Sequence, residues 1–150
     1  MMTRQSILRT TVVAGLLAFG LGACGSMSKS GNTTHYHANL SGSQEVPANP
    51  SAGTGMADVE IDTTTNTLKW KVSYSGLSGP ATAGHIHGPA AAGANAGVMV
   101  PFSSVASSPS QGQAQVTPAQ AAEIAAGRTY VNIHTAKAPG GEIRGQLQKR

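Results

Sequence analysis

Apolar and polar side chains alternate with a period of two from residue 35 onward, in short runs separated by Gly, Pro, Asn and Ser. Successive side chains on a strand point to opposite faces, so each run reads as a half-buried strand. Many such runs at close spacing predict an all-β domain. Tyr36, Ala38 and Leu40 alternate with His35, His37 and Asn39. Ala57, Val59 and Ile61 alternate with Asp58, Glu60 and Asp62. After a turn at residues 63–66, Leu68, Trp70, Val72 and Tyr74 alternate with Thr67, Lys69, Lys71 and Ser73. The last two runs predict a hairpin with one buried and one charged face. Trp70, the only tryptophan, is the natural centre of a core.

Further strands are expected at residues 81–87, 97–102, 111–116, 128–134 and 142–148, with loops at 41–55, 88–96 and 135–141. One helix has a clear opening. Thr117 stands as N-cap, Pro118 at the first position and Gln120 three residues after the cap, and the helix stops at Gly127. The expected architecture is an all-β, Greek-key-like antiparallel β-sandwich with one short helix.

The single cysteine constrains how such a fold is held together. Arg4 and Arg9 precede a short apolar stretch at residues 11–20, and small residues lead to Cys24, which is the layout of an export signal. The apolar stretch is shorter than the roughly 20 residues that a membrane-spanning helix needs. Leu21-Gly22-Ala23-Cys24 resembles the bacterial lipobox, which implies cleavage before Cys24 and a lipid on its thiol. The expected organisation is a lipoprotein signal peptide at 1–23, lipidated Cys24 with a flexible tether at 24–34, and one domain at 35–150. Gly25 follows the cysteine, which by the same resemblance favours the outer membrane of the cell envelope. With Cys24 lipidated no disulfide is available, so packing or a metal must hold the fold.

The full chain carries +4, and removal of Arg4 and Arg9 leaves eight basic against six acidic side chains. Only Lys149 and Arg150 of those eight are adjacent, so there is no basic stripe and no case for nucleic acid.

Chemistry concentrates in the histidines. Four of the five fall in two His-x-His pairs, His35/His37 and His85/His87, and the fifth is His134. Residues i and i+2 of a strand share a face, so each pair reads as a chelate for one ion at about 2.0–2.1 Å. If Val131 and Ile133 face the core, Tyr130, Asn132 and His134 face away from it. Ile86 likewise points opposite to His85 and His87. The parity predicts His85, His87 and His134 on one outer face, as a metal site. His35 and His37 are extra candidate ligands. All-nitrogen ligation suits copper(II) or zinc, and copper(II) binds more tightly. Imidazole ligates in its neutral form, so affinity should fall below about pH 6.5. Glu45, Glu142 and Arg144 read as isolated ionisable groups near loops, with Glu142 and Arg144 on one face, placed to brace the histidine strand. No nucleophilic triad or phosphate loop has motif context.

Four strings carry a family resemblance: residues 40–47 (LSGSQEVP), 83–89 (AGHIHGP), 130–135 (YVNIHT) and 139–147 (PGGEIRGQL). In this order they resemble the chordin-type (CHRD) domain over about residues 36–148. The resemblance implies an extracellular or envelope location and includes the motifs that hold His85, His87 and His134. A fainter similarity is to copper–zinc superoxide dismutases, which are Greek-key sandwiches with a strand His-x-His. This chain lacks an evident bridging histidine, a zinc-site aspartate and a disulfide. The leading expectation is a non-enzymatic, lipid-anchored envelope protein that binds copper or zinc. The alternatives are a metal-free module for a protein or polysaccharide partner, and a dismutase-like redox enzyme.

Overall fold

The computed structural model describes residues 32–150. The expected export signal, Cys24 and most of the tether lie outside the described residues. The strands are β1 (Thr33–Ser41), β2 (Thr54–Asp62), β3 (Thr67–Ser75), β4 (Ala81–His87), β5 (Val98–Pro101), β6 (Ser110–Gln115), β7 (Tyr130–Thr135), β8 (Ile143–Gln146) and β9 (Gln148–Lys149), with helix α1 (Pro118–Ala125) between β6 and β7. Two residues expected in the tether, Thr33 and Thr34, instead open β1, where they pair with Asp62 and Ile61 of β2. The final strand is shorter than expected and broken in two, with Leu147 buried between β8 and β9.

Every strand pair is antiparallel, and the order is β5-β4-β7-β8-β1-β2-β3-β6, with β9 added beside β1. The sheet is continuous and wraps around one core, so the two layers of the expected sandwich are joined and the whole is nearly a closed barrel. The connection from β5 to β6 spans the remaining gap. The Phe102 N–H donates to the Gly84 carbonyl (2.9 Å), and the Phe102 ring stacks on Trp70 at 4.8 Å between centroids. From β3, the Tyr74 hydroxyl donates to the Val105 carbonyl and the Tyr74 N–H to Ser108 Oγ (2.8 Å).

The core follows the alternation. Tyr36, Ala38 and Leu40 of β1, Ala57, Val59 and Ile61 of β2, and Leu68, Trp70 and Val72 of β3 are buried, and β2–β3 is the expected hairpin. The turn between them is held by Asp62, whose Oδ1 accepts from the N–H groups of Thr64 and Thr65 at 2.8 and 3.1 Å. Helix α1 starts as its sequence predicts. Thr117 Oγ1 accepts from the Gln120 N–H (3.1 Å), and Gln120 Oε1 accepts from the Thr117 N–H (2.8 Å), so two otherwise orphaned donors are satisfied. Ile124 is the residue that α1 buries in the core. Among the described residues no helix is long and apolar enough to cross a membrane.

One departure from the alternation matters for function. Val131 and Ile133 of β7 face the core as expected, but Tyr130 and Asn132 on the opposite side are also buried, at 3% and 2% exposure. The predicted outer face is therefore covered. Residues 88–97, the small-residue loop after β4, lie over it. The cover is pinned by hydrogen bonds from Ala90 N–H to the Arg128 carbonyl (2.8 Å), from Gln146 to the Ala90 carbonyl (3.1 Å) and from Arg144 to residues 94 and 95.

Candidate metal centre

The antiparallel register of β4 and β7 sets Ala83 opposite His134, His85 opposite Asn132 and His87 opposite Tyr130. His85, His87 and His134 thus share the side of the sheet that faces away from the core. Each offers one ligand atom, and these three atoms lie within 4.8 Å of one another. The close pair is the cross-strand one: His85 Nδ1 is 3.0 Å from His134 Nε2. The rings of the His-x-His pair are slightly farther apart, 5.2 Å between centroids with planes perpendicular, against 4.9 Å for His85 and His134, and no hydrogen bond joins them. Residues i and i+2 are separated by two strand rises of about 3.3 Å each, whereas a diagonal neighbour on the next strand can lean in.

Hydrogen bonds define which nitrogen of each ring is free. His134 Nδ1 lies 2.9 Å from the Pro139 carbonyl, and His87 Nδ1 lies 3.0 Å from the Ala96 carbonyl. A carbonyl only accepts, so both Nδ1 atoms carry a proton, which leaves each Nε2 with its lone pair. This is the arrangement that orients metal-ligating histidines. His134 Nε2 then accepts from His85 Nδ1–H. His87 Nε2 lies 3.0 Å from Asn132 Oδ1, so both nitrogens of this ring face an oxygen; the backbone carbonyl of Ala96 is fixed, and a lone pair at Nε2 requires the Asn132 amide to turn its NH2 toward it. The His87 ring also lies flat on Tyr130, 4.8 Å between centroids and 2° between planes.

The electrostatics favour neutral rings at His85 and His134. Burial, then the neighbouring His134 and His87, pull the His85 pKa down to about 4. Burial also lowers His134, partly opposed by its hydrogen bond to Pro139, with His87 adding a smaller lowering. A histidine whose folded pKa is depressed binds its proton more tightly when unfolded. Its contribution to stability is therefore whole above pH 6.5 and is lost as pH falls toward 4. The metal-free protein should accordingly show a urea midpoint that drops between pH 6.5 and 4, and His85→Ala should flatten that drop. Equal slopes in the two proteins would contradict the assignment.

The ionisable groups expected near loops turn out to support this site from inside the fold. Glu142 is 1% exposed, and its carboxylate accepts from Ser51 Oγ, Ser78 N–H, Ser78 Oγ and Thr135 Oγ1 at 2.5–2.7 Å. Burial works to raise its pKa, but these hydrogen bonds outweigh it and hold the group at about 2. They fix Thr135, the residue after His134. Arg144, 2% exposed, lies with its guanidinium carbon 3.4 Å from the Tyr130 ring centre. Glu45 is buried with Oε1 unpaired; burial pushes its carboxyl up, and Arg144 and the Val46 N–H offset part of this. Gly141 adopts φ +130°, and a Cβ there would collide with Glu45 Oε1, so that position must be glycine.

His35 and His37 do not join the cluster. They lie on β1 beside the acids opposite them in register, His35 Nδ1 3.7 Å from Glu60 and His37 Nδ1 3.5 Å from Asp58. The residues that sequence reasoning left without a role at the site are Ala96 and Pro139, whose backbone carbonyls carry no side-chain signal, and Tyr130 and Asn132, placed on the right face but not as partners of His87.

No curated protein and no solved structure matches the chain. The model of the CHRD domain family matches residues 36–147, which takes in all three clustered histidines, their hydrogen-bond partners and the cover over them. The chain belongs to the CHRD domain family.

Proposed function

We propose that this protein is an exported, lipid-anchored envelope protein that binds one copper(II) ion through His85, His87 and His134, without catalysing a reaction. The observation that carries the metal reading is the cross-strand pair, with His85 Nδ1 and His134 Nε2 3.0 Å apart and the outer nitrogen of His134 committed to a backbone carbonyl. In the metal-free protein His85 Nδ1–H donates to His134 Nε2, so a shift of the His85 proton to Nε2 would turn this hydrogen bond into a pair of donors, and with His87 the three imidazoles, one ligand atom each within 4.8 Å of one another, would hold one ion. All-nitrogen ligation suits copper(II) or zinc, and copper(II) binds more tightly. The export and lipid reading rests on Arg4, Arg9, the apolar stretch and Leu21-Gly22-Ala23-Cys24.

Calorimetric titration with copper(II) and zinc tests the metal reading, against a His85→Ala/His87→Ala/His134→Ala variant. The expected result is near-stoichiometric submicromolar copper(II) binding that disappears in the variant. Binding that is absent, or equal in the variant, would leave the histidines as a polar cluster and point to a metal-free interaction module.

A further inference from the structure

The cover over the histidines is held by a buried cation that has no carboxylate partner within ion-pair distance among the described residues. Arg144 Nη1 donates to Asn95 Oδ1 (2.8 Å) and Nη2 to the Ala94 carbonyl (2.6 Å). Burying a guanidinium is costly unless its donors are used, and here they are directed at two consecutive residues of the loop. The next residue, Ala96, is the one whose carbonyl lies 3.0 Å from His87 Nδ1. Tyr130 lies between the two groups in the sheet, on β7. Arg144 sits over its ring, and the His87 ring stacks on it. The Tyr130 hydroxyl accepts from the Ala96 N–H (3.2 Å) and donates to the Ala96 carbonyl (3.3 Å). Two routes, one through the loop backbone and one through the tyrosine, thus converge on the same carbonyl.

We propose that Arg144 is a positioning residue that, by clamping residues 94–96, holds the Ala96 carbonyl against His87, keeps the ring proton on Nδ1 and reserves Nε2 for metal. A neutral imidazole free of that carbonyl distributes its proton between the two nitrogens. In this ring orientation Nδ1 faces the Ala96 carbonyl and Nε2 faces the Asn132 amide, so only the Nδ1–H form leaves a lone pair at Nε2. The loop is built mostly of small residues, so its anchoring comes from outside: the Tyr130 hydroxyl at Ala96, Arg144 at residues 94 and 95, and the Val46 carbonyl at Asn95. The metal consequence rests on the copper reading above; the placement of the proton does not.

The test is therefore made first without metal. Nitrogen-15 NMR of the purified full chain at pH 8 reads the protonated nitrogen of His87 directly. The expected result is Nδ1–H in the wild type and a mixture of both forms in Asn95→Ala and Arg144→Lys. Asn95 is exposed, so its variant tests the clamp without opening the core. Gln146→Ala, which frees the loop at Ala90 instead, should leave the wild-type pattern intact. With copper(II) bound, Asn95→Ala and Arg144→Lys should weaken affinity by about 10–100-fold, the range typical of lost outer-shell partners, and change the electron paramagnetic resonance spectrum. An Nε2–H ring in the wild type overturns the proposal. So does an unchanged His87 pattern in Asn95→Ala, whether or not Arg144→Lys folds. A wild type with the Nδ1–H ring but no copper affinity would instead remove the metal reading and leave the clamp standing.

Discussion

Alanine at His85 or at His134 is expected to weaken copper(II) binding by at least about a hundred-fold, beyond the range that losing an outer-shell partner costs. Alanine at His35 or His37 should leave it unchanged. The ranking follows from geometry. His85 Nδ1 and His134 Nε2 are already 3.0 Å apart, so a shift of the His85 proton to Nε2 is enough to make them a pair of donors, and removal of either leaves only one. His87 has to exchange its contact with Asn132 for the ion and move inward, so its loss should cost less than that of the other two. His35 and His37 are engaged with Glu60 and Asp58 on a different part of the sheet. Protons should compete for His85 only near pH 4, and burial lowers His134 as well, so these two donors should stay available to the ion as pH falls below 6.5. Calorimetric titration of each single variant checks the order. A loss at His37 as large as that at His85 would place the ion elsewhere.

The parts of this fold that were readable in the chain are those set by local rules. Strand parity placed Tyr36, Val59 and Trp70 inside, and it put His85, His87 and His134 on one side because it depends only on the period of two. The opening of α1 was equally local, since Thr117 and Gln120 complete each other within four residues. Register between β4 and β7 is not local. It joins residues 49 apart, so a His-x-His pair looked like the chelate when the tighter pair crosses strands. The burial of Tyr130 and Asn132 was hidden for a different reason. Their cover at residues 88–97 consists of small side chains with no periodicity, and its anchors are backbone carbonyls and the distant Arg144. Arg144 and Glu142 read as isolated because each is satisfied by uncharged partners rather than by an opposite charge in sequence reach.

Trp70 and Gly112 should behave as one unit in stability. Trp70 is 4% exposed, stacked on Phe102, and its six-membered ring lies against Gly112 of β6, opposite it in register. A Cβ at position 112 would collide with Cζ2 of the indole. Strand β6 is an edge of the sheet, and the indole fills the space between it, β3 and the 102–109 connection. Gly112→Ala should therefore cost about 1–3 kcal/mol as overpacking. Trp70→Ala should cost about 3–5 kcal/mol as a large-to-small core change. The two losses should not add. Without the indole the methyl group meets open space, and Ala loses less backbone entropy than Gly on folding, so Gly112→Ala should become neutral or stabilising by about 0.5 kcal/mol in the Trp70→Ala background. Urea denaturation of the wild type, both single variants and the double variant measures the coupling. Additive losses would mean that Gly112 is required by the backbone of β6 rather than by the ring above it.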